Sequence, residues 1–180
     1  GFRITTAGSR AVHEHLKAAY QDGGARAFDA DFMRTVYERP FEVHHAEDPA
    51  SIASSNESAS SVGKHLDGCR IGFDAGGSDR KVSAVMDGKT LYSEEVVWHP
   101  KVTEDPDYHY NGILSAFKTA ASHLPRVDAI GVSSAGVYID NKAMVASLFL
   151  KVPRELFASK VKNIYINAAK EIGDVPLVVA

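Results

Sequence analysis

Glycine-containing turns divide the middle of the chain into three short strands, and this feature limits the possible folds more than any other. Arg70-Ile71-Gly72-Phe73-Asp74 is an apolar run that leads into the pair Gly76-Gly77, and further strand-like runs follow at residues 82–86 and 90–98. Asp87-Gly88, between the last two runs, is a strong signal for a two-residue hairpin turn. The sequence therefore predicts three consecutive antiparallel strands.

The rest of the chain alternates helices with strands. Residues 107–124 carry a helical stripe of apolar side chains and end at Pro125, residues 127–132 read as a strand, and residues 153–172 read as a second long helix. A final apolar strand follows at 175–180. The order β-β-β-α-β-α-β predicts an α/β fold in which helices pack on a mixed sheet, which is the ribonuclease H-like topology.

The amino-terminal third has a different pattern. Helices are predicted at residues 9–20 and 29–37, with Ser9 and Asp29 as their N-caps. Residues 47–61 are rich in Ser, Ala and acidic side chains and are predicted to be a linker, with the domain boundary near 63–67. We therefore divide the chain into a helical extension with a polar linker, 1–65, and an α/β lobe, 66–180.

Composition excludes several kinds of partner. A net charge of −3 and interspersed charges argue against nucleic acid and anionic membranes as partners. The single Cys69 has no second cysteine for a disulfide and is predicted to be buried, and no apolar run is long enough to span a bilayer, so we predict a cytoplasmic protein. The eight histidines lack the i,i+4 pairing with a carboxylate that a helical metal site needs, and are predicted to lie at the surface. Trp98 is predicted to close the sheet.

Asp74-Ala75-Gly76-Gly77-Ser78 has the residue types that a nucleotide phosphate requires. Glycines let backbone N–H groups approach a phosphate closely, and Mg²⁺ prefers one or two carboxylates together with phosphate oxygens. Asp74 could supply the carboxylate through water, and Ser78 adds a hydroxyl. A plain hairpin turn uses the same residue types, so that interpretation stays open.

A second glycine turn follows the fourth predicted strand, at Gly131-Val132-Ser133-Ser134-Ala135-Gly136. Ligands of α/β sheets collect beyond the carboxyl ends of the strands, so this turn is expected to open into the same cleft as the first. An ordinary exit from a strand also favours small residues. The two turns together are more informative than either one alone.

The chain resembles a known family at these positions. The stretch 71–78 is similar to the first phosphate loop of the superfamily of sugar kinases, actin and heat-shock chaperones, and with 129–136 and 175–180 it is most similar to ROK-type sugar kinases. The resemblance covers roughly residues 69–180. It implies ATP and Mg²⁺ as cofactors, with Asp74 near the metal and Gly76, Gly77 and Ser78 lining the phosphate site. It also implies a sugar site that includes Ser134 and Gly136.

The same resemblance implies that part of the machinery lies elsewhere. The catalytic aspartate of the family belongs to an Asn-Asp motif directly after the strand that matches 175–180, so we expect it after Ala180 and expect no turnover from residues 1–180 alone. The family commonly has Thr and Lys where this chain has Ser78 and Asp79. The extra carboxylate is unfavourable near phosphate, although Arg80 and Lys81 could compensate for it.

Three functions are consistent with these residues. The first is ATP-dependent phosphotransfer to a sugar hydroxyl, with a nucleotide and a small sugar as partners and a homodimer left open. The second is a sugar-sensing regulator of the ROK type, although residues 11–37 lack the basic recognition helix of a DNA-binding protein. The third is a nucleotide-hydrolysing activator from another branch of the superfamily.

Overall fold

The computed structural model describes residues 1–54 and 65–180, which belong to two compact units, Gly1–Ser60 and Ser61–Ala180. The predicted linker at 47–61 and the predicted boundary at 63–67 lie partly outside the described residues. The division between 1–65 and 66–180 therefore stays a prediction.

The first unit pairs two helices with a small parallel sheet. Its elements are β1 (Arg3–Ala7), α1 (Arg10–Tyr20), α2 (Ala27–Tyr37) and β2 (Glu42–Ala46). The two strands run parallel, with Thr5 opposite His44. Ser9 caps α1 as predicted, because its hydroxyl accepts the N–H of Val12 at 3.5 Å.

The prediction of a helical extension omitted two strands, β1 and β2, and placed one helix cap wrongly. β1 and β2 were missed because both are short and polar, and they pair across 39 residues of sequence, which no local pattern reveals. Asp29 is not the cap of α2, since the helix already begins at Ala27 after Arg26. Asp29 instead lies in the first turn, where its carboxylate accepts a hydrogen bond from Arg26 at 3.0 Å.

Two histidines are buried, against the prediction that histidines lie at the surface. His13 is 7% exposed, with its Nδ1 3.3 Å from the hydroxyl of Thr6 and its ring edge-on to His45. His109 is fully buried, and both of its ring nitrogens contact backbone carbonyls. Within residues 1–54 and 65–180, no group of three or more His, Cys, Asp or Glu is arranged to hold a metal ion.

The second unit contains the predicted α/β elements and several additional ones. In chain order they are β3 (Cys69–Ala75), β4 (Asp79–Met86), β5 (Lys89–Val97), α3 (Pro106–Ser122), β6 (Ala129–Ser134), β7 (Gly136–Ile139), β8 (Lys142–Ala146), α4 (Arg154–Leu156), a π-helical turn (Phe157–Val161), α5 (Ile164–Lys170) and β9 (Leu177–Val179).

Five of these strands form a mixed sheet in the order β5-β4-β3-β6-β9. β3, β4 and β5 are antiparallel, and Asp87 and Gly88 have the positive φ angles, 50° and 77°, of the predicted hairpin turn. β6 and β9 continue from β3 as parallel strands. The predicted mixed sheet is therefore present, with its parallel and antiparallel halves meeting at β3.

Two features of this unit were not predicted. The hairpin β7–β8 turns at Asp140-Asn141, and the Asn141 side chain pairs with the backbone of β9, accepting the N–H of Val179 and donating to the carbonyl of Leu177, each at 2.9 Å. The helix predicted at 153–172 is interrupted because the carbonyl of Lys162 accepts the N–H of Ala143 in β8 at 2.9 Å, which diverts it from the helical ladder.

One face of the five-stranded sheet forms the core. Ile71, Phe73 and Ala75 of β3 are at most 3% exposed, and the ring of Phe73 packs edge-on against Phe117 of α3 at a centroid distance of 5.4 Å. Because side chains alternate along a strand, the residues between them, including Asp74, point to the opposite face. The core thus fixes which side chains are available for chemistry. No helix in the described part of the chain is long and apolar enough to cross a membrane.

Asp128 fastens the start of β3 to the start of β6, and it gives stability a pH dependence. Its carboxylate accepts hydrogen bonds from Arg126 and from the N–H of the buried Cys69, each at 2.7 Å. The hydrogen bond from Arg126 is the main reason that the pKa of Asp128 is lowered. Because the pKa of Asp128 is lower in the folded protein than in the unfolded chain, where it is about 3.9, the ionised carboxylate stabilises the fold at pH values above 3.9. This stabilisation is lost as the pH falls through the pKa of the folded protein.

We therefore expect Asp128→Asn to lower the thermal unfolding midpoint at pH 7, and the difference from wild type to shrink below pH 4. Thermal unfolding followed by circular dichroism between pH 3 and pH 7 measures this. Asp67→Asn is the control, because the Asp67 side chain is 89% exposed and its contact with Arg70 is 3.7 Å long. An equal deficit for Asp128→Asn at pH 3 and pH 7 would contradict the expectation.

Candidate functional site

The two glycine-containing segments lie side by side at one edge of the sheet, but the prediction of a turn at 131–136 is wrong: residues 131–134 belong to β6, and only Ala135 separates β6 from β7. In the parallel register of β3 and β6, Asp74 is opposite Ser133 and Ala75 is opposite Ser134. The N–H of Ser134 donates to the carbonyl of Ala180 at 2.9 Å, so the end of β9 lies beside the end of β6. The carboxyl ends of all three parallel strands therefore converge, which is where ligands of α/β sheets bind.

Asp74 is exposed on the sheet face opposite the core. Its side chain lines a groove of about 890 Å³ together with Lys81 of β4 and Ser133 of β6. The same groove runs along Gly72 and Gly131, which are paired neighbours in β3 and β6. Gly76, Gly77 and Ser78 do not line this groove, so Asp74 stands between the groove and the turn.

The turn from β3 to β4 is built around a close backbone approach at Gly76. A Cβ at this position would lie 2.5 Å from the carbonyl oxygen of Asp79 and 3.0 Å from its carboxylate. The indole N–H of Trp98 donates to the carbonyls of Gly76 and Asp79 at 2.8 and 3.0 Å. The backbone N–H of Trp98 donates to the carbonyl of Ser78 at 3.1 Å. A buried tryptophan thus holds a tightly closed glycine turn.

The charges around the turn are unevenly paired. The carboxylate of Asp79 accepts a hydrogen bond from Lys81 at 2.6 Å, and this hydrogen bond is the main reason that the pKa of Lys81 is raised. Lys81 therefore compensates for the acidic residue at position 79. Arg80 differs, because its Nε is buried and has no hydrogen-bond partner among the described residues, while its guanidinium lies 5.9 Å from the centre of the Trp98 ring.

Ser134 is buried in a chain of hydroxyl groups. Its Oγ lies 2.6 Å from the hydroxyl of Tyr138, and the hydroxyl of Tyr165 donates to it at 3.0 Å. Burial raises the pKa of both tyrosines, so both hydroxyls stay protonated at neutral pH. The sugar-binding role of Ser134 stays a prediction, and any such contact would compete with two tyrosines for its hydroxyl.

Gly136 begins the hairpin β7–β8. A Cβ on Gly136 would lie 2.6 Å from the carbonyl oxygen of Val145 and 2.8 Å from the Cβ of Ala146. The closeness of the two strands is therefore a sufficient reason for glycine here. Its predicted place at the floor of a sugar cleft stays a prediction.

Sequence reasoning missed two contributors to the site. It selected Ser134, whereas the alternation of side chains places Ser133 on the same face as Asp74. Counting along the strand from a buried residue such as Val132 would have shown this. It also interpreted Trp98 only as a residue that closes the sheet, whereas the indole N–H donates hydrogen bonds to carbonyls of the glycine turn. No sequence signal specifies that contact.

Comparisons with known proteins give partial similarities. No protein-family model matches this chain, and no curated protein matches it. It is similar to the crystal structure of an inorganic polyphosphate/ATP-glucomannokinase from Arthrobacter sp. strain KM, with 19% identity and a TM-score of 0.45 over 63% of this chain and 44% of that one.

Two further solved structures are similar over the same share of the chain. One is a ROK family transcriptional regulator described as a homologue of the E. coli MLC protein, with 18% identity and a TM-score of 0.45 over 64% of this chain and 28% of that one. The other is a Listeria monocytogenes protein provisionally described as an N-acetylmannosamine kinase, with 20% identity and a TM-score of 0.41 over 62% and 34%. This chain thus spans less than half the length of each of these proteins.

Proposed function

We propose that this chain carries the phosphate-binding lobe of an ATP-dependent sugar kinase of the ROK type, with the ribonuclease H-like topology of that superfamily. The observation that carries the proposal is the turn at Gly76, where no side chain fits, directly after a strand whose last residue but one is the exposed Asp74. A plain hairpin turn has no need of that aspartate. A site that holds a phosphate together with Mg²⁺ uses both.

The residues present fit a nucleotide with its metal. Glycine at 76 and 77 permits the tight turn, and Gly77 is covered only by the flexible end of Lys101, which can move to let phosphate oxygens approach the backbone. Asp74 has no ion-pair partner among residues 1–54 and 65–180, so its carboxylate is available to hold Mg²⁺ through water. When bound, Mg²⁺ would neutralise charge on the phosphoryl oxygens.

The groove beside Asp74 is the candidate place for the second substrate. Its floor along Gly72 and Gly131 is low because neither residue has a side chain, and Ser83 and Ser133 supply hydroxyl groups. Hydroxyl groups on a flat floor suit a polyhydroxylated ring, which offers both donors and acceptors. We propose that a sugar binds in this groove and is phosphorylated by the whole protein.

One observation favours a regulator instead. The carboxylate of Asp79 lies close to Gly76, where it would repel phosphate despite its pairing with Lys81. A protein that keeps the sugar groove and binds nucleotide poorly would act as a sugar sensor. The two functions differ in whether nucleotide binds at the turn.

Calorimetry separates them. We expect the 180-residue chain to bind Mg-ATP, and Asp74→Asn to weaken that binding about tenfold, because one charged contact to the metal shell is lost. Asp174→Asn is the matched control, since Asp174 is exposed at the opposite end of β9. Hexose binding without any binding of Mg-ATP would favour the sensor, and equal affinities of Asp74→Asn and wild type for Mg-ATP would exclude the role of Asp74.

A further inference from the structure

Lys101 lies directly over the glycine turn. A Cβ built on Gly77 would be 2.4 Å from the Cε of Lys101 and 2.6 Å from its Nζ. The ammonium group therefore occupies the space that a side chain at position 77 would fill. Glycine at this position does more than permit a turn, because it also leaves room for a cation that comes from a different loop.

The loop that carries Lys101 is firmly held. Pro100 is buried at the start of the 3₁₀ turn Pro100–Val102, and its carbonyl lies 3.0 Å from the Nε2 of His109 in α3. The other ring nitrogen of His109 lies 2.9 Å from the carbonyl of Asp105 at the start of the same helix. The hydroxyl of Tyr108 accepts the N–H of His99 at 2.9 Å. The backbone position of Lys101 is thus fixed by contacts on both sides of it, while its side chain stays flexible.

Lys101 carries an uncompensated charge. It has no ion-pair or hydrogen-bond partner within the described parts of the chain, 1–54 and 65–180. The nearest acidic side chain of the turn, Asp79, is already bound to Lys81. The guanidinium of Arg80, 5.9 Å from the centre of the Trp98 ring, likewise lacks an acidic partner in these residues. Lys101 is therefore an unpaired cation directly over the backbone of Gly77.

We propose that Lys101 is a phosphate-binding residue of this site, which holds a pyrophosphate-bearing ligand against the backbone of Gly77. This inference rests on the proposed function and deepens it. A lysine is a compact charge on a flexible stem, so it can follow a phosphate group through small displacements. Position 79, directly after the glycine turn, is an aspartate and provides no positive charge. Lys101, which is distant in sequence but lies over Gly77, provides it instead.

The experiment compares Lys101→Met with Lys118→Met, which removes the same charge from an exposed position on α3. Both variants of the 180-residue chain are titrated with inorganic pyrophosphate and with Mg-ADP by calorimetry, at two salt concentrations. We expect Lys101→Met to raise Kd for both ligands about tenfold or more, and to make binding less sensitive to salt. Lys101→Arg is expected to restore most of the affinity, and Lys118→Met to leave it unchanged.

The outcomes distinguish this inference from the proposed function. If wild type binds both ligands and Lys101→Met binds them equally well, the role of Lys101 is overturned and the phosphate site stands. If wild type binds neither ligand, the phosphate site and the role of Lys101 fall together. A lowered thermal unfolding midpoint in Lys101→Met, with no rescue by Lys101→Arg, would show a structural residue and also overturn the inference.

Discussion

Gly76→Ala is expected to abolish measurable binding of Mg-ATP and to lower the free energy of unfolding by about 1–3 kcal/mol. The added methyl group would lie 2.5 Å from the carbonyl oxygen of Asp79, which is backbone and cannot rotate away. The turn must open to relieve this contact. Opening it displaces the two carbonyls that Trp98 holds, and with them the N–H groups that are proposed to face the phosphate.

Gly77→Ala is the matched comparison. Its methyl group would meet only the far end of Lys101, a flexible side chain that can move aside. We therefore expect an unchanged free energy of unfolding in urea, in contrast to Gly76→Ala. Equal destabilisation by the two variants would show that the approach of Asp79 to Gly76 does not determine the conformation of the turn.

Trp98→Ala is expected to cost about 3–5 kcal/mol of stability, the usual range for removing a large aromatic side chain from a core. Trp98 is 2% exposed and joins the end of β5 to the glycine turn. Its loss therefore removes packing and two hydrogen bonds at once. Equilibrium unfolding in urea, followed by circular dichroism, measures the difference.

Trp98→Phe separates these two contributions. Phenylalanine keeps most of the apolar ring and has no N–H, so the carbonyls of Gly76 and Asp79 lose their shared donor. We expect a smaller loss of about 1–3 kcal/mol, with weaker Mg-ATP binding because the turn is less firmly held. If Trp98→Phe were as stable and bound as tightly as wild type, the indole N–H would have no part in shaping the site.

The lobe could be predicted from the sequence where local patterns are strong. The alternation around Ile71 and Phe73, the Asp87-Gly88 turn and the apolar stripe of α3 each specify one element, and the structure has all three. The strand pair β1–β2 and the hairpin β7–β8 were missed. β1 and β2 are polar and far apart in sequence, and β7 and β8 are short, so their periodicity is too weak to detect.

The site was less predictable than the fold because its geometry depends on contacts between distant residues. Asp74 and the glycine pair are visible as a motif. The approach of Lys101 to Gly77, across 24 residues, depends on the buried Pro100 and on His109, and neither of them carries a functional signature. The choice between Ser133 and Ser134 follows from strand alternation only once β6 is known to continue through Ser134, where the sequence indicated a glycine turn instead.

The phosphate site at the turn between β3 and β4 is tested most directly by the backbone amide resonances of Gly76, Gly77 and Ser78. In two-dimensional ¹H–¹⁵N spectra of the 180-residue chain, Mg-ATP is expected to shift these three amides, while the amide of Gly88 in the next hairpin turn stays in place. Saturable shifts at the three amides would establish that phosphate binds there. Unchanged amides at millimolar Mg-ATP, or shifts confined to other parts of the chain, would contradict the proposed site.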